Sequence, residues 1–107
     1  MVTIRARIAW DGPKVDLLRL LPDSGQNIGA EVWDEDVTLF RPLDADESLT
    51  GQVVGVEIAG FLSFDRWNDL PKLDVLWQLP GWKPLPLDKL LKRVQKELRE
   101  RKAREAA

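Results

Sequence analysis

Gly51-Gln52-Val53-Val54-Gly55-Val56-Glu57-Ile58-Ala59-Gly60 is the best strand in the chain. It is β-branched, almost free of charge and bracketed by glycines. Period two places Val54, Val56 and Ile58 on one face, and Val53, Gly55, Glu57 and Ala59 on the other. The first face reads as core. On the second, Gly55 leaves room for something to pack close.

Working back towards the N-terminus, further strands alternate with turns. Val2, Ile4, Ala6, Ile8 and Trp10 alternate with Thr3, Arg5, Arg7 and Ala9, a half-buried strand with arginines outward. Asp11-Gly12-Pro13 is turn chemistry, and Lys14 to Leu21 follows as the second arm of a hairpin. Leucines on both sides of that arm imply a central strand, or one covered on both faces. A third strand is expected from about Asn27 to Trp33 and a fourth from Val37 to Arg41, closed by Pro42. The connections are too short for helical crossovers, so the expectation is a five-stranded antiparallel meander.

Beyond Gly60 the pattern changes. Asp69-Leu70-Pro71 has the form of a helix cap followed by a first-turn proline, so a short helix is expected from Asp69 to Trp77. Pro80 to Pro86 is too rich in proline for a helix or a central strand. From Leu87 to Glu105 an apolar stripe of Leu87, Leu90, Leu91, Val94 and Leu98 predicts a long amphipathic helix with Asp88 in its first turn, solvated and frayed towards Ala107. The expected fold class is α+β in one domain: a sheet over residues 1–60, a Trp/Pro-rich connector with a short helix over 61–86, and a basic helix over 87–107.

The 107 residues suit a single core. No window is apolar enough to cross a membrane, the first residues lack a signal core, and there is no cysteine, which together point to the cytoplasm. The absence of cysteine, histidine and tyrosine excludes thiol nucleophiles, Ser-His-Asp triads, imidazole bases and ordinary zinc sites built from this chain alone. The net charge of −2 is uneven. Eight basic and four acidic residues from Asp88 onwards give +4, and eight basic and fourteen acidic residues before it give −6. A basic tail on an acidic body suits self-contact or an anionic partner.

Two strand motifs carry a resemblance. Asp16-Leu17-Leu18-Arg19-Leu20 and Gly51-Gln52-Val53-Val54-Gly55-Val56-Glu57-Ile58 resemble the D-x-L-Y-I and G-x-V-V-G-I-E-I strands of a small bacterial domain-of-unknown-function family. The resemblance spans about residues 8–60, departs at Arg19 where the family has tyrosine, and leaves out everything from Phe61 on. It implies a compact antiparallel sheet. Through the setting of some members, it also implies the small partner of a toxin–antitoxin-like pair.

Candidate sites follow from the same residues. Trp67, Trp77 and Trp82, with Leu87, Leu91, Val94 and Leu98, read either as a second small core or as a self-association surface. Sheet leucines on both faces add the expectation of a homodimer, or of another protein as partner. Lys92, Arg93, Lys96 and Arg99 offer a nucleic-acid contact, set against a solvated face diluted by Glu97 and Glu100. Asp16 and Glu57 could form a carboxylate pair across neighbouring strands that raises one pKa for acid–base work, the alternative of a carboxylate-based enzyme, or Glu57 could pair with Arg5, Arg7 or Arg19. Asp44-Ala45-Asp46-Glu47-Ser48 fails as a calcium loop at the glycine and glutamate positions, and Asp34-Glu35-Asp36 lacks supporting ligands. Gly25 to Gly29 lacks the lysine and the strand–helix context of a phosphate loop. No cofactor or metal is expected, and the reading is a non-catalytic association module.

Overall fold

The computed structural model describes residues 2–106, so position 107 of the expected frayed end lies outside the described residues. The strands are β1 (Val2–Trp10), β2 (Leu17–Pro22), β3 (Ile28–Val32), β4 (Val37–Pro42), β5 (Gly55–Ala59) and β6 (Val75–Gln78). A single helical turn, α1 (Gly12–Val15), separates β1 from β2, and a long helix, α2 (Leu87–Ala106), ends the chain. The fold is α+β: a six-stranded, mostly antiparallel sheet in the order β3-β4-β5-β2-β1-β6, with β1 and β6 parallel.

This order corrects the five-stranded meander. β2 pairs with β5, not β3, with Leu18 opposite Ile58 and Leu20 opposite Val56. Those four side chains are fully buried and make the centre of the core. β3 offers the same face only Gly29 and Glu31, opposite Arg41 and Leu39. With so little to bury there, β3 takes the edge. The chain reaches β5 from β2 by way of the β3–β4 hairpin.

A second correction concerns Asp69 to Trp77, where the expected short helix is absent. Trp67–Asp69 is a single 3-10 turn, and Val75–Gln78 is a strand hydrogen-bonded to β1, with Val2 beside Val75 and Ile4 beside Trp77. Val75, Trp77 and Leu79 are buried at period two, while Leu76 and Gln78 face outwards and are half-buried. Alternation wins here because β1 needs a neighbour for its outer backbone edge.

Two boundaries also shift. β2 begins at Leu17 rather than Lys14, because residues 12–15 close a helical turn that ends at Asp16 in the left-handed region, φ 55°. The organising strand narrows to Gly55–Ala59, flanked by Gly51 at φ 63° and Gly60 at φ 65°, conformations that favour glycine. Val56 and Ile58 do share the core face, but Val53 and Val54 both lie before the strand begins; both are buried, and of the two Val53 belongs to the core cluster. Gly55 is a position of close approach, as expected: a Cβ there would sit 2.7 Å from the Leu20 carbonyl oxygen and 3.1 Å from the Phe40 ring.

α2 lies over the inner face of the sheet and buries Leu87, Leu90, Leu91, Val94 and Leu98. Phe61, Phe64 and Leu70, from the connector, complete the same core. Residues 99–105 of α2 are exposed.

Candidate functional site

The apolar residues expected to form an interface are internal. Trp77 is fully buried, and Leu87, Leu91, Val94 and Leu98 are buried with it. Trp67 and Trp82 are partly buried and pack on the same cluster, so the tryptophans extend one core instead of forming a second. Trp67 meets Phe64 edge-on at 5.0 Å between ring centroids. The Trp77 indole N–H is buried without a hydrogen-bond partner.

The basic residues of α2 are exposed, yet three of the four candidate contacts are held within the chain. Arg93 stacks on Trp82 at 4.2 Å, and Lys92 lies over Trp67 at 5.9 Å. Arg99 Nε donates to the Leu62 carbonyl at 2.7 Å. Lys96 is exposed. These side chains fasten α2 to the connector, so a nucleic-acid phosphate would compete with contacts already made.

Asp16 and Glu57 are not brought together as a carboxylate pair. The register sets Arg19 opposite Glu57. Arg19 Nε donates to Glu57 Oε1 at 2.8 Å, and the same guanidinium approaches Asp11 at 3.5 Å. The Glu57 hydrogen bond holds the Arg19 guanidinium above its ordinary range. Asp16 works as a structural cap. Its Oδ1 accepts the Leu62 N–H at 2.9 Å, and its carbonyl accepts the Gly60 and Phe61 N–H groups at 2.9 and 3.3 Å. This ties the α1–β2 corner to the turn after β5.

The acidic stretches shape turns. Asp34 Oδ1 accepts the N–H groups of Asp36 and Val37, and Asp44 Oδ1 those of Asp46 and Ser48. Arg66 bridges to Asp34, Asp36 and Asp69 at 3.0, 2.9 and 3.4 Å. The Arg66 hydrogen bond, aided by the two backbone N–H groups, holds the Asp34 carboxyl below the usual carboxylate range. No group of three acidic side chains suited to a metal ion occurs among the described residues.

What remains is the outer face of the sheet. Inner-face residues of β2, β4 and β5 belong to the core that α2 and the connector complete, whereas Leu17, Leu21 and Phe40 on the opposite side are half-buried and outside the core cluster. The Arg19–Glu57 pair lies across the middle of this face, Arg5 and Arg7 are exposed along β1, and Val32 is 78% exposed on β3. A cleft of about 400 Å³ elsewhere is walled by Trp67, Leu70 and Leu87 together with Asn68, Lys72 and Asp88.

No family model, curated protein or solved structure matches the chain. The two strand motifs quoted above are hydrogen-bonded neighbours in the sheet, β2 beside β5. Arg19, which departs from the early motif, is the residue that pairs with Glu57 of the late one. Sequence reasoning passed over Gln95. Its amide is buried in α2 and donates to the Phe61 and Phe64 carbonyls at 2.7 Å each. The signal available was a glutamine beside Val94 on the apolar stripe, a position that demands partners.

Proposed function

We propose that this chain is a protein-association module whose working surface is the outer face of the sheet, in a cytoplasmic setting supported by its lack of cysteine. One observation carries the reading: Leu17, Leu21 and Phe40 stay half-buried there with no helix over them, around an Arg19–Glu57 pair fixed at 2.8 Å. Apolar surface around a pre-oriented arginine is the composition of an interface centre, where arginine and aromatic residues are enriched. The resemblance adds the role of the small partner in a toxin–antitoxin-like pair, and a second copy of the chain is a further partner.

The test uses the full chain, immobilised, and a variant carrying Leu21→Lys and Phe40→Lys, both checked for fold by circular dichroism. Extract of the source organism is passed over each. Proteins retained by the natural chain and lost from the double variant support the reading. Identical retention by both sinks it.

A further inference from the structure

The two edges of the sheet are finished differently. At β6, Trp77 exchanges two backbone hydrogen bonds with Leu85, at 2.8 and 2.9 Å, so the Pro84–Pro86 segment covers that edge. At β3 the Leu43 N–H donates to the Asn27 carbonyl and the Trp33 N–H to the Val37 carbonyl. Odd-numbered positions of β3 therefore bond to β4. By alternation, Ile28, Ala30 and Val32 direct their N–H and C=O groups out of the sheet.

Strand edges are usually blunted by lysine, proline or a bulge. Ile28–Val32 contains no lysine or proline. Its one charged residue, Glu31, lies on the inner face opposite Leu39 and is held by Arg41 at 2.7 Å. Val32 is 78% exposed at this edge, and Trp33, which follows it, donates its indole N–H to the Asp69 carbonyl at 2.8 Å.

We propose that β3 pairs antiparallel with β3 of a second copy about a two-fold axis at Ala30, joining two sheets into one. This goes beyond the outer-face reading and assigns a second surface, the β3 edge, to a second copy of the chain. The arrangement is self-complementary. Ile28 of each copy lies opposite Val32 of the other, and Ala30 lies opposite itself, giving about six new backbone hydrogen bonds. Glu31 lies opposite Gly29, so no like charges meet on the strand. The acidic Asp34–Asp36 turn of one copy runs alongside Ser24-Gly25-Gln26 of the other, an uncharged segment with hydroxyl and amide donors. Because the β6 edge is covered, pairing consumes the free edge and assembly stops at two.

The experiment is sedimentation velocity on the full chain across a concentration series. The expected result is a shift from 12.2 kDa towards twice that mass and no further. Ala30→Pro removes the central outward N–H without touching a bond to β4, and Val32→Lys places a charge on the edge. Each should raise the dissociation constant at least tenfold. Val15→Lys, at a valine 63% exposed away from the edge, should leave it unchanged. Should Ala30→Pro perturb the circular dichroism spectrum, Val32→Lys alone decides. A chain that stays monomeric, dimerises equally well with Val32→Lys, or grows beyond two copies overturns the proposal. The association reading is judged separately, by the loss of captured proteins with Leu21→Lys and Phe40→Lys.

Discussion

Single positions in this chain do more than their side-chain type suggests. At Gly55 the missing Cβ lets β5 lie 2.7 Å, measured to the ideal Cβ position, from the Leu20 carbonyl oxygen. That obstacle is backbone, which cannot swing aside. Gly55→Ala should therefore cost about 1–3 kcal/mol in urea unfolding, the scale of overpacking. Gly25→Ala, at a glycine with open space around it, should cost far less. Asp34 links stability to pH. Arg66 holds its carboxyl below the ordinary range, so the folded state favours the carboxylate more than the unfolded chain does. The resulting stability is present above the ordinary carboxylate range, near pH 4, and is lost as pH falls through the lower folded value. Urea midpoints measured from pH 7 down to pH 3 should fall less steeply for Asp34→Asn than for the natural chain. Parallel profiles would remove Asp34 as a source of the pH dependence.

At the scale of elements, Gln95 joins α2 to the connector through two 2.7 Å hydrogen bonds. Gln95→Leu keeps the volume but strands the Phe61 and Phe64 carbonyls, and should cost about 1–3 kcal/mol by thermal or urea unfolding. Lys96→Leu, one residue on and exposed, should stay within about 0.5 kcal/mol of the natural chain. Elements with a sustained period were legible in the sequence. α2 shows its stripe over three turns, and Val56 and Ile58 mark β5 as core. β6 was hidden because Asp69-Leu70-Pro71 carries a strong local helix-start signal, while Val75, Trp77 and Leu79 offer only three alternating positions. Strand order was hidden for another reason. Antiparallel arms joined by turns suggest neighbours, but the β2–β5 pairing depends on which inner faces are richest in aliphatic side chains. The candidate site was legible in part: leucines on both sides of β2 announced a second apolar face. The Arg19–Glu57 pair needed the register, which no local pattern contains.

The whole molecule has one core with α2 as its lid. A chain ending at Pro86 would strip Leu87, Leu90, Leu91, Val94 and Leu98 from the core, and should lose cooperative unfolding by circular dichroism. A chain ending at Glu100 removes only turns whose described side chains are exposed, and should keep its midpoint within about 0.5 kcal/mol of stability. The parallel seam between β1 and β6 has a further consequence, for the speed of folding. β1 has β2 next to it in sequence, but its other neighbour brings Val75 to Val2 from far along the chain. Closing so long a loop costs entropy before any contact rewards it. The β1–β2 and β3–β4 hairpins can form early, whereas the β1–β6 seam must wait for the chain to find its own beginning. Refolding should therefore be limited by that closure, with Trp77 among the last side chains to leave water.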